Sequence, residues 1–302
     1  MTTDSLSDDH RWCAALLRRS GSSFALPIRL LPPAKRRGTT ALYAFCRRAD
    51  DIVDDAIDRE TATTALDRFE AEVRAALVGT RSTDPVVRAL ADTVQRFSVP
   101  AAPLLEVLAG VRMDIDHVPF ATVADLELYC SRVASAVGTA AVHIWGYRSP
   151  RALDVAHDCG IAFQLTNILR DIPEDRARGR LYIPTSDLVA AGCSAADLAA
   201  PAPSPAVARL ARLQCARARA HYRRAAELDR LLSTDGRPVF RAMFGVYECF
   251  LRAVERAGAA IFVRRVRPAT ARLLAGAALA VGAGPALTLA VPALPFGGSG
   301  HG

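Results

Sequence analysis

The sequence predicts an all-α protein in which two aspartate-rich helices face one cleft. Three observations predict it. Apolar residues recur with helical spacing through most of the 302 residues, the pattern of amphipathic helices. Neither a long β-branched alternation nor a β-α-β rhythm is present. Two clusters with the spacing D-x-x-x-D, Asp50 to Asp54 and Asp171 to Asp175, each lie in an otherwise apolar helical segment.

The elements follow in order. Residues 1–10 are polar and acidic, read as a flexible N-terminus and not as a secretory signal. Helices are expected over 9–19, 33–57 and 60–78. The run 79–84 is a loop, and Pro85 is fit to begin a helix over 85–97. Further helices are expected over 101–111, 123–145 and 150–171. Pro201, Pro203 and Pro205 mark a connection, followed by helices over 204–232 and 236–257. Asp-rich halves on both sides of one cleft argue for one domain over residues 11–268.

A last helix, 269–281, opens a tail reaching residue 302. From Leu273 to Phe296 the tail holds no charged residue, and Arg264, Arg265, Arg267 and Arg272 precede it. Its length permits a membrane span. Pro285, Pro292 and Pro295, with Gly282 and Gly284, break any single helix. An interfacial or loosely docked tail and a packed or disordered end are the alternatives to a span.

Composition narrows the function. Lys and Arg outnumber Asp and Glu by 38 to 31, a net charge of +7, and Lys35 is the only lysine. A basic balance suits nucleic acid, an anionic membrane or anionic substrates. The arginines are dispersed, with no helix-turn-helix, zinc knuckle or aromatic-studded basic strip, so nucleic acid is not expected. Seven cysteines, odd in number and never in C-x-x-C spacing, read as reduced thiols in a cytoplasmic protein. His157-Asp158 stands alone and is not read as a metal pair. No P-loop, dinucleotide fingerprint or Ser-His-Asp elbow is present.

The aspartates carry the chemistry. Carboxylates four residues apart share a helix face and repel each other, which calls for a cation. Hard oxygen ligands in twos and threes suit Mg²⁺, which takes one or two carboxylates plus phosphate oxygens. On the first helix Tyr43, Arg47, Asp50 and Asp54 form one stripe, with Asp51 and Asp55 beside it. On the second, Gln164, Asn167, Asp171 and Asp175 form another. Pro173 is expected to kink or end that helix and leave Asp175 on a turn. Arg176, Arg178 and Arg180 follow as phosphate clamps. An acidic run alone is more often a solvated face; two runs with polar stripes leading into them point to a diphosphate site. Between them Ala134, Gly138 and Ala141 share a face, suited to tight packing or to the wall of a lipid tunnel.

At these residues the chain resembles the phytoene synthase/squalene synthase family of head-to-head prenyl transferases. The matching pieces are Ser22-Ser23-Phe24, Leu31-Pro32-Pro33, Ala41 to Arg47, Ala49 to Asp55, Tyr129-Cys130 with Val137-Gly138, Gln164 to Asp175, and Gly179 to Pro184. They span residues 20 to 267. The resemblance implies a single-domain isoprenoid synthase fold with a central cavity. It implies Mg²⁺, or Mn²⁺ in its place, held by Asp50, Asp54, Asn167, Asp171 and Asp175. Catalysis would involve Tyr43, Arg47 and the four aspartates. Substrate would meet Ser23, Phe24, Tyr129, Val133, Val137, Gly138, Gln164, Asn167, Arg170, Tyr182, Tyr247, and Arg264 or Arg265.

The implied reaction joins two allylic prenyl diphosphates through a cyclopropylcarbinyl diphosphate. The leading reading is two geranylgeranyl diphosphates (C20) to phytoene. The alternative is presqualene diphosphate or squalene from farnesyl diphosphate (C15), where NADPH enters only for full squalene synthesis. A non-catalytic relative is the distant reading, since both aspartate clusters are intact. Ala25-Leu26-Pro27-Ile28 replaces the aromatic-rich stretch common after Ser-Phe. The tail would allow peripheral contact at the inner face of the membrane.

Overall fold

A computed structural model describes residues 3–290. Helices α1 (Thr3–Arg19), α2 (Ala25–Ile28), α3 (Pro33–Asp54), α4 (Arg59–Leu77), α5 (Pro85–Phe97) and α6 (Ala101–Asp116) form the first half. Then come α7 (Val123–Cys130), a π turn (Ser131–Ser135), α8 (Ala136–Trp145) and α9 (Arg151–Ala177). The second half holds α10 (Thr185–Ala191), α11 (Pro205–Ala225), α12 (Leu228–Leu231), α13 (Arg237–Ala257), α14 (Thr270–Ala283) and α15 (Pro285–Ala290). Among the described residues there is no strand, only an isolated bridge between Tyr147 and Leu232. This is the all-α architecture that the sequence predicts.

Local chemistry explains the helix starts. Asp84 caps α5, accepting from the amides of Val86 at 2.7 Å and Val87 at 3.4 Å, with Pro85 in the first turn. Asp58 accepts from Thr61 N at 2.8 Å to start α4. Thr122 and Asp125 close a capping box on α7.

Three expectations are revised. The N-terminal ten residues are not loose where the structure describes them: α1 already runs from Thr3. Buried Asp9 accepts from Arg88 at 2.8 and 2.5 Å, and His10 meets Asp92 at 3.1 Å, which ties α1 to α5. Second, α9 passes through Pro173 without ending. The missing N–H removes one backbone bond, but Arg176 donates to Leu198 O at 2.6 Å and Arg265 reaches Asp171 at 2.8 Å, securing the last turn. Asp171 and Asp175 therefore remain one helical turn apart. Third, the segment 123–145 is helical throughout but widens at Ser131–Ser135 into a π turn. A Cβ on Gly160 would lie 2.4 Å from Ser135 Cα, and one on Gly110 2.6 Å from Val133 Cγ1. The wide turn thus lies between two bare helix surfaces.

The start of the tail is packed. Gly245 of α13 and Gly276 of α14 lie so close that a Cβ on Gly245 would be 2.2 Å from Gly276 O. Arg241 donates to Val281 O at 3.0 Å and Arg252 to Thr288 O at 2.7 Å. No helix among the described residues is long and apolar enough to cross a membrane. The remainder of the tail, 291–302, lies outside the described residues.

Gly276→Val should force α14 off α13, because its Cβ would fall 2.2 Å from Cys249 Sγ. Overpacking of this kind costs about 1–3 kcal/mol. Faster hydrogen exchange over 270–290, with α3 and α9 unchanged, is the expected readout.

Candidate active site

Two cavities meet inside the helices. The larger, about 750 Å³, is mainly apolar and runs between α3, α8, α9 and α13. The smaller, about 370 Å³, is polar and carries Asp50, Asp54, Asp171 and Asp175. Arg47, Asp50, Val133, Gln164, Asn167 and Arg170 line both and mark the junction. Each helix reaches the junction with its polar stripe: α3 brings Arg47 and Asp50, and α9 brings Gln164, Asn167 and Arg170.

The four aspartates divide into two kinds. Asp54 accepts from Arg178 at 3.1 Å and Arg180 at 3.0 Å. Asp171 accepts from Arg170 at 2.9 and 2.5 Å and from Arg265 at 2.8 Å. Asp50 and Asp175 have no ion pair or side-chain hydrogen bond among the described residues. Asp50 is open to the cavity yet surrounded by protein; that burial, with Asp114 and Asp54 nearby, raises its carboxyl from 3.8 to about 7. Burial and Asp171 raise Asp175 to about 7 as well, against the pull of Arg180 and Arg178.

The remaining expected residues fall as follows. Tyr43 lines the apolar cavity and donates to Ser20 Oγ at 2.8 Å. Ser23 and Phe24 line it too, as do Val133, Val137 and Gly138. Tyr247 is sandwiched between Phe24 and Phe163, with ring centroids 5.5 and 4.1 Å away. Tyr129 and Tyr182 line the polar cavity and stack at 4.9 Å. Arg265 reaches the site, whereas Arg264 is exposed and lines neither cavity. Arg47 pairs with Asp51 at 2.5 Å, which assigns Asp51 to the rim and not to the cleft.

One site residue was not singled out from the sequence. Asp114 lies in the polar cavity, where Tyr182 donates to it at 2.6 Å and Tyr129 at 3.1 Å. Burial pushes its carboxyl up, and the Tyr182 hydrogen bond and Arg180 pull it back. Burial raises both tyrosines above their ordinary range, so they stay protonated and donate. The signal was present: Leu104, Val107 and Val111 form an apolar stripe, and Asp114 is its next member. Ending the helix at Val111 hid it.

The donor set fits a hard divalent cation. Among the described residues the buried Asn167 Oδ1 has no hydrogen-bond partner, a rare state for a buried carbonyl oxygen. Beside it two carboxylates lack any cationic contact. Among the described residues no three His, Cys, Asp or Glu side chains converge tightly enough to hold a metal alone. An ion here would draw its remaining ligands from phosphate oxygens and water.

Residues 17–273 match the family model described as squalene/phytoene synthase. The chain is 34% identical over 273 residues to a phytoene synthase of Arthrospira platensis, covering 86% of this chain and 88% of that one. It is 37% identical over 235 residues to a presqualene diphosphate synthase of Sinorhizobium fredii, covering 76% and 81%. A crystal structure of a dehydrosqualene synthase in complex with ligand superposes with a TM-score of 0.82 at 28% identity, covering 91% and 96%.

Two variants test the site. A raised carboxyl gives stability that is complete below its ordinary value of 3.8 and lost as pH rises through about 7. Asp50→Asn should therefore raise the melting temperature of metal-free protein at pH 8 and leave it unchanged near pH 4. Equal effects at both pH values would contradict the electrostatic reading. Asp114→Ala strands two buried phenol protons and should cost about 1–3 kcal/mol by denaturant titration.

Proposed function

The chain belongs to the squalene/phytoene synthase family, and from that premise we propose that this prenyltransferase joins two geranylgeranyl diphosphates head to head to form phytoene, with Mg²⁺ as its metal. The observation that carries the reading is the junction: a long apolar cavity opens directly onto four aspartates. A prenyl diphosphate has the same two halves.

Each half has a physical task. Asp50, Asp54, Asp171, Asp175 and Asn167 would hold Mg²⁺, or Mn²⁺ in its place. When bound, the cation neutralises charge on the departing diphosphate. Arg47, Arg170, Arg178, Arg180 and Arg265 ring the same space and suit bidentate contact with phosphate oxygens. Because the arginines now occupy Asp54 and Asp171, substrate binding would exchange carboxylate partners for phosphate ones. Departure of diphosphate leaves an allylic cation. The walls at Val133, Val137, Phe163 and Tyr247 exclude the water that would quench it. The double bond of the second chain attacks the cation, a proton leaves to an acceptor at the polar end, and the cyclopropane closes. A second ionisation, rearrangement and proton loss gives phytoene without a reductant.

A second reading takes two farnesyl diphosphates to presqualene diphosphate. The 37% identity to the Sinorhizobium fredii protein favours it. NADPH would be needed only for onward reduction to squalene.

Product analysis separates the two. Purified protein with Mg²⁺ is given C20 and C15 diphosphates separately, with and without NADPH. Phytoene from C20 without NADPH is expected, together with loss of turnover in EDTA. Asp171→Asn should lower the rate about a hundred-fold or more with the fold intact by circular dichroism. Product from C15 alone would replace the first reading by the second.

A further inference from the structure

The apolar cavity has a defined end opposite the aspartates. Along α3 its lining runs from Asp50 back to Thr39, and along the π turn and α8 from Val133 on to Trp145. At 1.5 Å per residue these runs extend about 16–18 Å. Trp145 is buried at 7% exposure and lies at the far end of its run.

Ring and backbone of Trp145 are both held. The indole N–H donates to Thr39 Oγ1 at 3.0 Å, and Thr39 gives its own proton to Lys35 O at 2.9 Å. The Trp145 carbonyl accepts from Lys35 Nζ at 2.6 Å and Ser233 Oγ at 2.5 Å. Lys35 Nζ is itself anchored by Asp235 at 2.8 Å. Behind the carbonyl, a Cβ on Gly236 would come within 2.7 Å. An indole held at its N–H, on a backbone clamped at its carbonyl, does not move aside for a longer ligand.

We propose that Trp145 is the specificity-determining floor of the cavity, setting the longest prenyl chain that the enzyme accepts. The inference rests on the prenyl transfer reading and deepens it. The chain's diphosphate stays at the junction, so its distal isoprene unit stops against the indole. The fused rings occupy more room than one isoprene unit, and a smaller side chain opens that room. The latch of Lys35, Ser233 and Asp235 lies behind the backbone and remains in place.

Two measurements test it. Trp145 and Trp12 are the only tryptophans, and Trp12 lies on α1 outside both cavities. In the Trp12→Phe protein, Trp145 emission should shift on binding C20 diphosphate and not on binding C10 diphosphate. Separately, C20 and C25 diphosphates compete in one assay with Trp145→Leu, Trp145→Ala and Trp145→Phe. The product ratio does not depend on the folded fraction. Leu and Ala should move it toward C25 by about ten-fold or more, and Phe, which keeps one ring, should move it less than either. No emission change with C20 diphosphate, or an unchanged ratio in both Leu and Ala variants, would overturn the floor. An emission shift without any wild-type product would support the floor and sink the transferase reading instead.

Discussion

Everything at the centre of this molecule depends on holding carboxylates near one another against their repulsion. Asp50, Asp54, Asp114, Asp171 and Asp175 all line one polar cavity. Burial weakens the screening that water would supply. The protein answers unequally. Arginines neutralise Asp54 and Asp171, phenols satisfy Asp114, and Asp50 and Asp175 find no partner among the described residues. The unpartnered pair has its carboxyls raised to about 7. The site is thus incomplete in charge, a gap that the cation and diphosphate of the proposed reaction would fill.

Rigid surroundings keep that arrangement from relaxing. The carboxylates stand on α3, α6 and α9, long helices packed into one core. Leu66, Phe45 and Leu108 are fully buried within that core. The π turn lies between the bare surfaces at Gly110 and Gly160, where a side chain would force the helices apart. The apolar cavity and the charged one therefore share walls, and a change in either is felt at the junction.

Much of this was legible in the sequence. The α5 boundaries follow from Asp84, Pro85 and the apolar period, and the two aspartate stripes from spacing alone. What stayed hidden was tertiary. A π turn leaves no local signature here, because contact with two distant glycines accompanies it. Pro173 reads as a helix end, but side-chain bonds from Arg265 and Arg176 hold the turn beyond it. Arg264 and Arg265 are adjacent and equivalent in sequence; only the path of the chain after the Gly258–Phe262 3-10 segment sends Arg265 inward. The tail was ambiguous because apolar character does not say which surface covers it. The Gly245–Gly276 contact depends on residues 31 positions apart.

The latch at the cavity floor has a practical corollary. Lys35 is the sole lysine, and its side chain is only 20% exposed, paired with Asp235. Acylating reagents that tag or cross-link proteins through lysine amines meet no other lysine side chain here. Coupling at Lys35 would remove the charge that holds the Trp145 carbonyl. A preparation conjugated at Lys35 would thus carry its modification behind the hydrocarbon pocket, and cysteine coupling could reach Cys46 on the cavity wall, so an added tag is the safer handle for attaching this protein to a surface.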